Sequence, residues 1–261
     1  MSIFLNFIIF VFGLTISSFL NCVIYRLEKN ESFLWGRSYC PHCKHILSWW
    51  DLIPVFSFLV LGGKCRYCHQ KISYQYPLVE MTTGFLFVLI FQLTVSNQQL
   101  TISGLANLLY LFIASCLLLI IFVYDLKYYL IPDKVVYPGI VIAIIYQILA
   151  NWSLFSIVNL GLAILPAFIL LAIILFSHGA WMGLGDFKLA ILMGLFLGWP
   201  NILFALFSAF FLGAIIGAVL IILKKKGLKS EIPFGPFLVT GTFLALFWGE
   251  KVINWYLGFL F

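Results

Sequence analysis

Leu105–Tyr124, LANLLYLFIASCLLLIIFVY, carries no charged residue and stops at Asp125. A helix rises ~1.5 Å per residue, so about 20 apolar residues cross the hydrocarbon core of a bilayer. This stretch meets that length, and seven others surround it: Ile3–Ile24, Leu78–Val95, Val135–Ala150, Ile157–Phe176, Phe187–Trp199, Ile202–Leu223 and Phe237–Trp255. The expected fold is therefore all-α and polytopic, with about eight transmembrane helices. The span from Phe187 is short and reaches only about two-thirds of the hydrocarbon thickness. It either begins inside the preceding loop or enters the membrane partway.

Composition agrees. Of 261 residues 64% are hydrophobic and 9% charged, where a soluble domain is about a quarter charged. The net charge of +6 is read as loop charge that fixes topology, not as a nucleic-acid surface. No cation precedes the first apolar run; Arg26 and Lys29 follow it. A secretory signal carries its charge first, so an uncleaved first span with its N-terminus outside is expected. With eight spans, every cation except Lys251 then falls inside, and Ser96–Gly104, Asn151–Ser156 and Pro200–Asn201 outside are uncharged. That bias follows the positive-inside rule. It puts Asp125, Asp133 and Asp186 at the inner face. Lys224–Lys226 reads as a topology anchor beside anionic lipid.

Three parts follow: the first span (1–24), a cytosolic insertion (25–77) and a membrane bundle (78–261). The insertion holds Cys40-Pro-His-Cys43 and Cys65-Arg-Tyr-Cys68. Each Cys-x-x-Cys turns two sulfurs toward one point, and two such pairs complete a tetrahedral thiolate shell that suits zinc. The spacing between the pairs is one residue beyond the usual range. His42, His45 and His69 are alternative ligands. A four-thiolate site has no open position, so a structural metal is expected, supplying stability that some fifty residues lack alone. Leu52–Leu61 between the pairs is apolar but too short to span. It is expected to lie on the membrane or pack on the bundle, with Trp49 and Trp50 at the interface.

Two acids interrupt the apolar pattern. Asp125 ends one span, and Asp186 lies in Gly183-Leu-Gly-Asp-Phe-Lys188. A carboxylate at the edge of a hydrocarbon layer is costly unless paired or functional. Two close carboxyl groups share one proton; the ionised one can activate water and the protonated one can assist a leaving amine. Gly183 and Gly185 allow the backbone close approach to a substrate, and Lys188 closes the motif. Asp133 competes with Asp125 for the partnership. Asp186 also suits a helix-capping role and Asp125 an ordinary helix end. The spacing leaves all of these open.

Taken together, the motifs are specific. Ser17-Ser-Phe-Leu-Asn21 with Tyr25-Arg26, the four cysteines, Tyr76-Pro-Leu-Val-Glu80, Asp125 with Ile131-Pro-Asp133, Gly183–Lys188 and Ile232-Pro-Phe-Gly-Pro-Phe237 occur in that order. The chain resembles the bacterial type IV prepilin peptidases, aspartic membrane proteases with a Gly-x-Gly-Asp signature. The resemblance implies that Asp125 and Asp186 are the catalytic acids and that Cys40, Cys43, Cys65 and Cys68 bind zinc. It implies a prepilin or pseudopilin-like substrate with a basic leader, cut at the cytosolic face of the bacterial inner membrane. It also implies N-methylation with S-adenosylmethionine, for which no donor site can be assigned, and a second-site role for Glu80. Glu80 reads equally as a helix-start acid facing the cytosol. Ser17 departs from the family's usual glycine. Two rivals remain: a transporter conducting ions past the acids, and a non-catalytic assembly factor of a secretion or competence system.

Overall fold

The computed structural model describes residues 3–32, 35–97, 101–150, 154–224 and 231–260. The expected external connection Asn151–Ser156 lies partly outside this set, as do Lys225, Lys226 and Lys229. Among the described residues there are helices and no strands; Tyr39–Ile46 and Lys64–Lys71 form isolated bridges. The chain divides into two compact units, residues 1–120 and 121–261.

The first unit holds α1 (Ile3–Lys29), α2 (Phe56–Val60), α3 (Gln75–Asn97) and most of α4 (Ile102–Tyr128). Helices α1 and α3 pack along each other. A Cβ at Gly13 would lie 2.8 Å from Gly84 Cα, so the two backbones touch, as small residues permit between membrane helices. Phe87 stacks on Phe112 of α4 with ring centroids 4.1 Å apart. Buried hydroxyls bond back along their own helices, Thr83 to Val79 O and Thr94 to Ile90 O. In hydrocarbon such groups must be satisfied within the protein.

Arg26, on the last turn of α1, is only 4% exposed. It donates to the carbonyl oxygens of Ser32, Trp35 and Arg37, each at 3.0 Å. The expected apolar element between the cysteine pairs is a 3-10 turn at Trp49–Leu52 followed by the five-residue α2. Trp49 and Trp50 stack, centroids 3.6 Å apart, and both are exposed.

The second unit adds α5 (Asp133–Ala150), α6 (Leu154–Ile164), α7 (Ala167–Phe176), α8 (Leu184–Leu197), α9 (Asn201–Ile222) and α10 (Gly235–Leu260). Pro166 separates α6 from α7 because it has no N–H for the helix ladder. The short α8 starts at Leu184, inside the loop that precedes the expected span. It is the centre of the unit and packs against α5, α6, α7, α9 and α10. Its buried residues run all round the helix: Leu189, Ala190, Leu192, Met193, Leu195 and Phe196. A helix apolar on every side is a core helix.

Among the described residues, six helical stretches are long and apolar enough to cross a membrane: Ile3–Lys29, Gln75–Val95, Ile102–Tyr128, Val158–Phe176 (part of α6 together with α7), Asn201–Ile222 and Gly235–Phe259. Each overlaps an expected span. The other two expected spans coincide with α5 and α8, of 18 and 14 residues. Large apolar side chains such as Phe7, Ile113, Ile145, Phe168, Phe207 and Phe211 are exposed. A soluble surface does not carry so much contiguous apolar area; an integral membrane protein does.

Candidate active site

Asp125 lies on the last turn of α4 and is 4% exposed. A helix C-terminus carries partial negative charge, so a buried carboxylate there needs compensation. It comes from the other end of another helix. Gly235 opens α10 and donates its N–H to Asp125 Oδ2 at 2.9 Å. The first N–H groups of a helix have no partner within it and suit an anion.

Asp186 is the third residue of α8 and is 8% exposed. Its Oδ2 accepts the N–H of Gly183 at 3.1 Å. The capping role expected of Asp186 is therefore present. Both acids thus rest on a helix N-terminus, Asp186 on its own and Asp125 on that of α10. Helix α10, whose head holds Asp125, packs against α8, which carries Asp186. None of the ion pairs among the described residues includes either acid.

Asp133 occupies different surroundings. Lys188 Nζ holds its carboxylate at 2.8 and 3.0 Å, and the Asp133 side chain is 54% exposed. The same ammonium lies 5.1 Å from the centre of the Tyr137 ring. Lys188 thereby ties α8 to the start of α5. The second glycine of Gly183-Leu-Gly-Asp has a steric reason: a Cβ at Gly185 would come within 3.0 Å of Ile131 Cβ. The Ile131 loop lies against α8 because nothing projects there.

The two Cys-x-x-Cys turns are copies of one device. Cys40 N–H donates to His45 O and Lys44 N–H to Cys40 O; Cys65 N–H donates to Gln70 O and His69 N–H to Cys65 O. The outer rungs Leu47 N–H to Ser38 O and Ile72 N–H to Gly63 O match as well. Lys44 and His69 both take the left-handed conformation, φ 60° and 57°. All four sulfurs lie within 4.8 Å of one another, and Cys40 Sγ is 3.9 Å from Cys68 Sγ. A tetrahedral ion with ~2.3 Å bonds to sulfur needs edges of roughly 3.8 Å, so the four thiols fit a metal ion. His45 is stacked on Tyr67, ring centroids 3.7 Å apart. Asp51 joins the turns, bonding Ser48 after the first and Arg66 and Tyr67 within the second.

Residues 11–94 match the bacterial peptidase A24 N-terminal domain, and residues 112–218 match the type IV leader peptidase family. The prepilin leader peptidase/N-methyltransferase of Aeromonas hydrophila is 32% identical over 282 residues, covering 96% of this chain and 93% of the relative. That of Legionella pneumophila is 32% identical over 288 residues, covering 98% and 96%. That of Bacillus subtilis is 32% identical over 254 residues, covering 96% and 97%. No solved structure matches.

The chain belongs to the type IV leader peptidase family. Within the region matched by the family's N-terminal domain lies Glu80, 7% exposed on α3. It does not face solvent as a free helix-start acid. Its Oε2 accepts the N–H of Val55 at 2.7 Å. Val55 has φ 59°, a conformation costly for a β-branched residue. Glu80 thus holds the apolar segment of the insertion against α3. Asn21, 2% exposed, donates to Tyr76 O of the same helix at 3.3 Å.

In the sequence Gly235, Arg26 and Asn21 belong to the motifs of the resemblance, and Arg26 counts among the inner cations, but none of the three has an assigned contact. A glycine followed by proline at the head of a span is a signal for Gly235. An arginine and an asparagine on a span are signals for the other two.

Proposed function

We propose that this leader peptidase family member is an aspartic endopeptidase of the bacterial inner membrane. It removes the basic leader of a prepilin or pseudopilin-like precursor and then methylates the new N-terminal amine. The names of its relatives, prepilin leader peptidase/N-methyltransferase, support both activities. The observation that carries the peptidase reading is that both acids are buried, each with one oxygen on a glycine N–H, and that α10, which holds Asp125, packs on α8, which carries Asp186.

The chemistry follows. The Oδ2 atoms are occupied by Gly235 and Gly183, which leaves the other oxygen of each carboxyl group for water and substrate. Two carboxyl groups that face each other across one water share one proton. The ionised member takes a proton from water as its oxygen attacks the scissile carbonyl. The protonated member gives its proton to the carbonyl oxygen. A tetrahedral intermediate forms; the amine leaves with a proton returned from the first acid, and the second acid recovers its own. Gly183, Gly185 and Lys188 support the loop, and Asp133 serves as the anchor for Lys188.

The substrate's apolar helix stays in the bilayer while its leader reaches the acids at the cytosolic face. The distribution of cations supports that orientation, and eight spans, α5 and α8 included, accommodate it. The four thiolates hold zinc as a structural ion, since a closed shell leaves no position for substrate. S-adenosylmethionine supplies the methyl group.

The test uses the purified protein in detergent with a prepilin-like peptide. Asp125→Asn and Asp186→Asn are each expected to lose at least roughly 10³-fold in cleavage rate. Cleavage near the wild-type rate in either variant would remove the acid pair as the catalytic group.

A further inference from the structure

We infer that Gly235 is a positioning residue for this reaction: its N–H fixes Asp125 Oδ2, and its missing side chain lets that carboxylate reach the head of α10. The inference rests on the acid-pair reading above. Three observations carry it.

The first is clearance. A Cβ at position 235 would lie 2.6 Å from Asp125 Oδ2, 3.1 Å from its Cγ and 3.4 Å from its Cβ. Asp125 has a short side chain on a buried helix turn, so it cannot swing aside as a long flexible group would.

The second is that no neighbouring donor replaces the lost one. Pro236 has no N–H. The N–H groups of Phe237 and Leu238 are already bonded to Phe234 O. A carboxylate displaced from Gly235 therefore loses its hydrogen bond rather than moving it one residue along.

The third is the contrast with the other acid. A Cβ at Gly183 would sit 3.9 Å from Asp186 Oδ2, an ordinary contact. The two donors look alike in hydrogen bonding, yet only one demands glycine.

The experiment compares Gly235→Ala, Gly183→Ala, Gly241→Ala and Asp125→Asn in peptide cleavage, with kcat, KM and Tm measured for each. Gly241 lies on the same helix, where a Cβ would strike Ala205 O far from the chemistry. Gly235→Ala is expected to lower kcat on the order of 100-fold, the size of loss when a catalytic group is misplaced by about 1 Å, with KM within about twofold. Gly183→Ala should lose less than about tenfold, since its Cβ finds room. Gly241→Ala should lower Tm and keep kcat.

A kcat for Gly235→Ala within about threefold of wild type, with Asp125→Asn inactive, overturns the inference and leaves the acid pair standing. Normal cleavage by Asp125→Asn overturns the acid pair and this inference with it. If Gly235→Ala does not fold, amide exchange decides. The Gly235 N–H should exchange at least about tenfold faster in Asp125→Ala than in wild type, with the Leu238 N–H unchanged. Equal exchange at Gly235 overturns the inference.

Discussion

The thiol cluster and the acid pair are both held by backbone, but over very different lengths of chain. Each Cys-x-x-Cys turn is closed by hydrogen bonds within ten residues, and the same set recurs around Cys40 and Cys65. Two local copies need only to face each other, and an ion can join them. Asp125 instead depends on Gly235, 110 residues away. It holds only while α10 stays docked in its unit. A site of the first kind is vulnerable to what binds or oxidises sulfur. A site of the second kind is vulnerable to any change in helix packing.

The largest expected effect breaks the local half. Cys40→Ser combined with Cys65→Ser should abolish bound metal, measured by elemental analysis of the purified protein. Structural zinc contributes apparent binding energies of order 10 kcal/mol, so residues 38–72 should become protease-sensitive. Equal metal in variant and wild type would defeat the assignment. Next come the acid substitutions, at roughly 4 kcal/mol for a 10³-fold rate loss. They sharpen the contrast only if metal content is unchanged, because the two sites are built independently.

Gly185→Ala follows. It pushes a methyl group to 3.0 Å from Ile131 Cβ, an overpacking that costs about 1–3 kcal/mol. A fall in Tm with partial activity is expected; full stability would show that the Ile131 loop yields freely.

The smallest effect is Asp51→Asn. Burial pushes the Asp51 carboxyl up, but hydrogen bonds from Ser48, Arg66 and Tyr67 outweigh it and hold it below its ordinary 3.8. A depressed carboxyl contributes stability above the unfolded value and loses it as pH falls through the folded one. Arg66 is half exposed, so the contribution is about 1 kcal/mol or less. The stability gap between wild type and Asp51→Asn should be constant above about pH 4 and shrink below it. A gap that widens on acidification would contradict the assigned sign.

These differences in construction explain what could be read beforehand. The apolar runs gave the helices, because hydrocarbon imposes a length on any helix that crosses it. The cysteine spacing gave the cluster, because its geometry is local. Asp125, Asp133 and Asp186 are all visible as acids out of place, and residue type does not tell that Asp133 is exposed and paired with Lys188 while the other two are buried. No periodicity shows that the head of α10 meets the tail of α4, so Gly235 carried no assignable role. Glu80 was visible as an acid near a span, but its partner is the N–H of Val55, and a backbone partner leaves no trace in residue type.

Arg26 has a consequence of a different sort. Among the described residues no carboxylate forms an ion pair with its guanidinium; three carbonyl dipoles surround it at the foot of α1. A planar fork holds donors at fixed, widely spaced positions, whereas an ammonium gathers its three donors at one point on a flexible stem. The first span therefore also orders chain beyond its own end: its last turn holds the carbonyls of Ser32, Trp35 and Arg37, so that exchanging this arginine for lysine would keep the charge and still loosen the start of the insertion.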